Sequence, residues 1–335
     1  MNAADIEIPF DHQQSAHCES GAIASLLRHA GLPISEPMAF GIGGALAFAY
    51  LPFVKFGGMP LIAYRMPPGS LISGLTRRLG VRMHTQTFGN ADAGMRALDE
   101  SLAAGRPAGV QSSAYWLGYF PPDMRFHFNA HNLVVYGCRN GRYLISDPVI
   151  DIRVDCAADE LRKARFTRGV MAPRGRLYYP LHVPANPDWR RAVRKAIRHT
   201  ANMMLRTPLP LIGVHGIRTL ARKLRRLDAQ NERYNKLFLG NIVRMQEEIG
   251  TGGAGFRFLY ASFLQEAAPL LDRSGLDDAA RALSIAGDAW RAFALEAAKI
   301  CKERSEADYS VLAAQLVDCA DRETTVYRRL RAETN

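Results

Sequence analysis

Residues 1–184 read as a mixed α and β domain and residues 185–335 as an all-α domain, an α+β fold predicted by three observations. Two apolar, β-branched runs flank Asn140-Gly141, the signature of a β-hairpin. Upstream of them strand-like and helix-like segments alternate, and from Pro187 onward helical periodicity takes over.

In chain order, the apolar run Ala22 to Ala30 predicts the first helix, with Cys18 placed where it is about to begin. Gly41 to Gly58, rich in glycine and aromatics, predicts a loop. Ser70 to Leu79 predicts a helix, Val81 to Thr87 a strand, Asp92 to Ala104 a helix stopped by Gly105, and Ala108 the start of another strand. The His131 hairpin completes this core, and Arg176 to Val183 adds an edge strand. The prolines of Pro184-Ala185-Asn186-Pro187 cannot continue a strand ladder and set the boundary. Pro187 and Asp188 open one helix, Asp277 and Asp278 another, and Ser305 with Asp308 caps the last.

The 335 residues, 48% hydrophobic, suffice for two domains with their own cores. Met1 to Asp11 is mixed and acidic rather than a basic and apolar leader, and the apolar run Gly41 to Val54 is too short to span a bilayer. A soluble cytoplasmic protein is expected. Five cysteines (18, 138, 156, 301 and 319), an odd number without a Cys-x-x-Cys pair, argue against a disulfide framework and a thiolate zinc site. His12, His17 and His127 with His131 lack the spacing and the carboxylates of a metal centre, so no metal is expected.

Chemistry concentrates at His17-Cys18-Glu19-Ser20-Gly21. A thiol at a helix start feels unpaired N–H groups and the positive dipole end, which favour thiolate and make a nucleophile near neutral pH. The candidate base is His131, which enters the first hairpin strand, and Asp147 leaves the second. The turn decides whether they meet. A two-residue turn at Asn140-Gly141 sets Asp147 opposite Val134 and puts the two side chains on opposite faces. A three-residue loop, Arg139-Asn140-Gly141 with Gly141 left-handed in a bulge, sets Asp147 opposite Leu133 on the face of His131. The second register is expected, because it lets the carboxylate hold the imidazole while its other nitrogen takes the thiol proton.

The order Cys18, His131, then Asp147-Pro148 resembles papain-like cysteine peptidases, especially the bacteriocin-leader-processing peptidases. The run His17-Cys18-Glu19-Ser20, Leu32-Pro33-Ile34-Ser35-Glu36-Pro37, Phe40-Gly41-Ile42-Gly43-Gly44 and Phe48-Ala49-Tyr50-Leu51 is similar to the N-terminal domain of the butirosin biosynthesis protein H family. Gly250 to Tyr260 with Phe263-Leu264-Gln265-Glu266-Ala267 resembles the helical domain that commonly follows it. The resemblance implies a papain-like domain that moves an acyl group from the phosphopantetheine thioester of an acyl carrier protein to an amine of a small natural product. Cys18 would be the nucleophile, His131 the base and then acid, and Asp147 the orienting carboxylate. The phosphopantetheine arm comes with the donor, and no bound cofactor is implied. Papain-like enzymes usually place an oxyanion-hole Gln about six residues before the cysteine. This chain has His12 there, with Gln13 and Gln14 slightly nearer as candidate donors beside the Cys18 backbone N–H. Gly250, Gly252, Gly253 and Gly255 before a helix suit a phosphate cradle or tight packing, which makes Gly253, Arg257 and Tyr260 candidate substrate or carrier contacts.

Charge gives the second signal. Residues 1–180 hold 18 Lys/Arg against 14 Asp/Glu, residues 181–335 hold 25 against 18, and Trp189 to Leu227 holds 11 with no acidic residue. Such a run favours an acidic partner, and no zinc, helix-turn-helix or aromatic RNA-binding signature points to nucleic acid. Acyl carrier proteins are acidic, so Arg191, Arg194 and Lys195, in rows with Arg190 and Arg198 on one helix side, are candidate carrier contacts. Ala201 to Gly213, apolar between basic blocks, suits peripheral contact with a lipid leaflet. Two other readings share these residues: a cysteine peptidase or amidase in which water attacks the acyl-enzyme, and a binding or scaffold protein with an inert thiol.

Overall fold

A computed structural model describes residues 5–228, 230–250 and 252–334. The chain runs β1 (Ile6–Glu7), α1 (Cys18–His29), α2 (Glu36–Gly43), β2 (Leu46–Phe56), β3 (Met59–Arg65) and α3 (Ser70–Leu79). It continues through β4 (Arg82–Gln86), α4 (Ala91–Ala103), β5 (Ala108–Ser112), β6 (His131–Arg139), β7 (Arg142–Ser146), β8 (Val154–Ala157), α5 (Ala158–Phe166) and β9 (Leu177–His182). Six helices close it: α6 (Trp189–Arg206), α7 (Gly213–Arg225), α8 (Glu232–Val243), α9 (Arg257–Leu271), α10 (Gly275–Cys301) and α11 (Tyr309–Glu333). The α+β class expected from the pattern is the one observed, with a helical C-terminal region. Among the described residues no helix is long and apolar enough to cross a membrane.

Two units form, and their boundary differs from the expected cut at residue 184. One unit comprises Met1–Ala39 and Leu79–Pro187, the other Phe40–Arg78 and Asp188–Asn335. The Pro187 end matches the two-proline signal, but residues 40–78 belong with the C-terminal helices rather than with the first domain. The expected Gly41 to Gly58 loop is instead the end of α2 and the long strand β2, paired with β3 across Gly57-Gly58. Both glycines have positive φ, the hairpin-turn conformation, and an apolar run on either side of Gly-Gly is the sequence signal for it. The second unit is therefore not purely helical. Its core sets Phe48 and Tyr64 of the hairpin against Trp290 of α10 at ring distances of 5.8 and 5.5 Å. A Cβ at Gly41 would sit 2.0 Å from the Phe263 ring, so the glycine-rich stretch of α2 serves close packing.

In the first unit an antiparallel sheet has the order β4-β9-β5-β6-β7-β8, with β1 paired to the far end of β6. The expected edge strand, β9, is interior. Only Leu177 and Tyr178 pair with β5, so Pro180 lies past the point where its missing N–H would be needed. Leu98, Val110, Leu133, Val135, Ile145, Leu161 and Leu177 form the core between sheet and helices. In the second unit Asp188 caps α6 as expected. α10 begins earlier than Asp277, after Ser274, and Asp308 rather than Ser305 caps α11.

Candidate active site

Cys18 is the first residue of α1, with His17 as N-cap accepting the Ser20 N–H. The chain arriving there is clamped by one carboxylate. Glu36 accepts the backbone N–H groups of Ala16 and His17, each at 2.8 Å, and the Ser20 hydroxyl at 2.9 Å. Burial pushes the Glu36 carboxyl up, while those donors and Arg28 oppose the shift. Gly21 sits one turn into α1, where a Cβ would meet Pro148 and Ser15 at 2.6 Å. This absence of a side chain lets the Asp147-Pro148 segment lie directly against the helix that carries the thiol, where Ser15 N–H donates to Pro148 O at 2.6 Å.

The hairpin reaches the expected result by a different route. Arg139 pairs with Arg142 across a tight two-residue turn, with Asn140 and Gly141 at φ of 50° and 72°. That turn alone would turn Asp147 away from His131. A bulge lies further down: Val135 pairs with Ile145 and Gly137 with Leu144, so Tyr136 is the extra residue on β6. Val134 then faces Ser146, and the following pair sets Leu133 against Asp147 on the face of His131. The bulge expected in the loop thus sits in mid-strand, where buried Tyr136 stacks on Phe10 at 5.8 Å beneath the Arg153 guanidinium.

His131 Nε2 lies 2.7 Å from Asp147 Oδ2, and the imidazole also hydrogen-bonds Cys18. With Nε2 taken by Asp147, Nδ1 is the nitrogen left for the sulfur. All three residues are buried: Cys18 is 5% exposed, His131 4% and Asp147 0%. Burial alone would lower the imidazole's pKa. The Asp147 carboxylate, by charge and by hydrogen bond, and the Cys18 sulfur behind it outweigh this and raise it to about 10. The Cys18 sulfur thus stands at a helix start against an imidazole able to exchange a proton with it, the arrangement an activated nucleophile needs. Phe120 closes the site edge-on, its ring 5.4 Å from that of His131.

The remaining candidates are placed elsewhere. Gln13 is exposed and donates to Asp11 at 3.2 Å, and Gln14 is exposed, so neither is positioned as an oxyanion donor. His12 bridges Ser146 Oγ at 2.8 Å and Ile150 O at 3.1 Å, bracketing the Asp147 segment. Arg257 and Tyr260 are fully buried. Arg257 pairs with Glu323 at 2.8 Å, which also accepts the Trp290 indole N–H at 2.5 Å, so it organises a core rather than a docking surface. Gly253 belongs to a left-handed turn, Gly252 to Phe256 all having positive φ, and Thr251 lies outside the described residues. There the Ala254 N–H is taken by the Glu247 carboxylate at 3.1 Å, so the protein's own anion fills the expected cradle. Arg191, Arg194, Lys195 and Arg198 line the exposed side of α6, opposite Ala192, Val193, Ala196 and Ile197. Arg190 instead caps α9 through Leu270 O at 2.7 Å. Ala201 and Met204, part of the segment considered for a lipid leaflet, are buried in the unit.

Two polar contacts at the site escaped sequence reasoning. Glu36 was read only as part of a family-like motif, yet it holds the approach to Cys18. Tyr119 donates its hydroxyl to Asp147 Oδ2 at 2.6 Å, and nothing in the aromatic run Tyr115 to Phe120 singles it out.

Residues 17–148 match the profile of the butirosin biosynthesis protein H N-terminal domain. Residues 159–330 match a domain of unknown function, DUF4872. No curated protein matches the chain. A solved structure described as a C39-like peptidase from Bacillus anthracis aligns with a TM-score of 0.37 and 17% identity, covering 54% of this chain and 99% of that one.

Proposed function

Because the chain belongs to the butirosin biosynthesis protein H family, we propose that it is a cysteine-dependent acyltransferase that takes its acyl group from an acyl-carrier-protein thioester. The observation that carries the enzymatic part is the buried Cys18 thiol facing an imidazole that Asp147 holds protonated. The Cys18 thiolate attacks the thioester carbonyl, and the Cys18 backbone N–H, at the head of α1, would donate to the developing oxyanion. The C–S bond to phosphopantetheine breaks, and His131 delivers its proton to the departing thiolate. An amine then attacks the Cys18 thioester, the now neutral His131 accepts the amine's proton, and the Cys18 thiolate leaves with the amide complete. Near-complete burial of Cys18 and His131 favours transfer over hydrolysis, because a bound acceptor excludes water from the acyl-enzyme. The exposed cations of α6 suit an acidic carrier.

Intact-mass spectrometry of the protein incubated with acylated carrier proteins tests this reading. An acyl adduct on Cys18, discharged by added amines faster than by water, is expected. Discharge at the same rate with and without amine would make the enzyme a hydrolase, and no adduct with any thioester would end the proposal.

A further inference from the structure

Asp147 is fully buried, and its oxygens carry unequal loads. Oδ1 accepts the Val149 backbone N–H at 3.1 Å, whereas Oδ2 accepts two short bonds, from His131 Nε2 at 2.7 Å and from the Tyr119 hydroxyl at 2.6 Å. A carboxylate taken out of water gains stability as an anion with each donor aimed at it. Tyr119 can only be the donor in this pair. Burial first, then the adjacent Asp147 charge and hydrogen bond, push its hydroxyl pKa well above the usual tyrosine value.

Resting on the reading of Cys18, His131 and Asp147 as a reactive site, we infer that Tyr119 is a positioning residue of that site. Its hydroxyl shares the Asp147 Oδ2 lone pairs with His131 and keeps that oxygen turned to the ring, and thereby sets the proton affinity of the imidazole that serves Cys18. The sign follows from where the donor matters most. With His131 protonated, the carboxylate has a cation beside it and needs Tyr119 less. With His131 neutral, the carboxylate depends on Tyr119 more. The hydroxyl therefore favours the deprotonated state and restrains the imidazole, which would otherwise hold its proton to still higher pH. Titratable groups around this network include Cys18 from α1, which acts on His131, Cys156 from β8, which acts on Tyr119, and Arg142 of β7, Asp155 of β8 and Glu160 of α5, which share a cleft with Tyr119. Tyr119 also lines a cleft of 330 Å³ with Gly118, Arg142, Val154, Asp155 and Glu160.

The test follows the His131 imidazole by NMR titration in Cys18→Ala protein, with and without Tyr119→Phe. Removing the hydroxyl should raise the imidazole pKa by about half a unit or more, part of the value of one hydrogen bond to a charged group. An unchanged or lowered value overturns the inference. A cycle of iodoacetamide rates at Cys18 supplies the second readout. A more basic imidazole takes up the thiol proton more readily, so Tyr119→Phe should speed alkylation severalfold in the otherwise native chain and leave it unchanged in Asp147→Asn protein, whereas slowing, or an equal change in both backgrounds, marks a structural role and overturns it. If Tyr119→Phe folds poorly, 3-fluorotyrosine at position 119, a stronger donor of nearly the same shape, should lower the imidazole pKa, and no shift overturns the inference. The titration is read without the nucleophile, so failure of the acyl-transfer reading leaves it intact, and failure of the shift leaves that reading intact.

Discussion

At the scale of single residues, Cys18, His131 and Asp147 form one hydrogen-bonded cluster, and under the proposed function their substitutions should be strongly non-additive. Cys18→Ala should abolish the acyl adduct with the fold intact, and His131→Ala should cost about as much. Asp147→Asn, which keeps an oxygen facing Nε2, should cost less, roughly 10²-fold in turnover. Turnover near the native rate in Cys18→Ala protein would remove the nucleophile assignment. The raised imidazole pKa also bears on stability. Its folded value, about 10, lies above the unfolded value of 6.5, so its contribution is fully present below pH 6.5 and is lost as pH rises toward 10. Denaturant melts of the native chain and of His131→Gln protein should therefore differ most below pH 6.5 and converge in alkali. Glu36 holds the segment before the thiol through three donors. Glu36→Ala should cost about 1 to 2 kcal/mol, as expected when partly exposed donors lose a charged acceptor, and should slow Cys18 alkylation. Full alkylation rate at reduced stability would show that the clamp supports the fold alone.

At the scale of elements, the bulge on β6 decides the site. Deleting Ser146, with the pairs above it unchanged, sets Asp147 opposite Val134 and swings its carboxylate to the other face. Such a chain should lose rapid Cys18 alkylation, and retained rapid alkylation would mean that the register does not control the triad. The other informative element is α6. Its exposed cations make no structural contact like that of Arg190 with α9, so changing Arg191, Arg194 and Lys195 to Glu should move the melting temperature little. The same change should raise KM for a carrier-bound donor, more at low salt than at high, with little effect on a small thioester. Equal losses with both donors would assign the face another role.

At the scale of the whole molecule, residues 40–78 are sequential neighbours of the Cys18 segment but structural members of the helical unit. Phe48 and Tyr64 are buried and pack against Trp290, Phe48 tilted and Tyr64 edge-on, far along the chain. A fragment ending at residue 184 would leave that apolar hairpin without its partners. It should be insoluble or cut by protease within residues 40–78, whereas a fold expected from a boundary at 184 would be resistant. The Arg257–Glu323 pair ties α9 to α11 without any exposure. Arg257→Met should cost about 3 to 5 kcal/mol through the unpaired buried charge of Glu323, readable as a lowered melting temperature, whereas a surface contact would cost almost nothing.

The amino-acid sequence by itself determined the α+β class, the Pro187 boundary, the cysteine at the start of α1 and its placement with His131 and Asp147, because each rests on local pattern: a helix onset, a run of β-branched residues, a pair of prolines. It also carried the Gly57-Gly58 hairpin signal, which the abundance of glycine and aromatics around it concealed. What only the tertiary structure decided depends on groups distant in sequence. The same turn residues, Asn140-Gly141, fit either face for Asp147, and the choice came from Tyr136 packing between Phe10 and Arg153. Arg257 and Arg191 are the same residue type in helices of similar pattern, yet one is buried on Glu323 and the other faces solvent, because charge in a sequence does not say which neighbour will neutralise it. Tyr119 and Glu36 became legible only once their oxygens stood within hydrogen-bond reach of the triad and of the chain entering it.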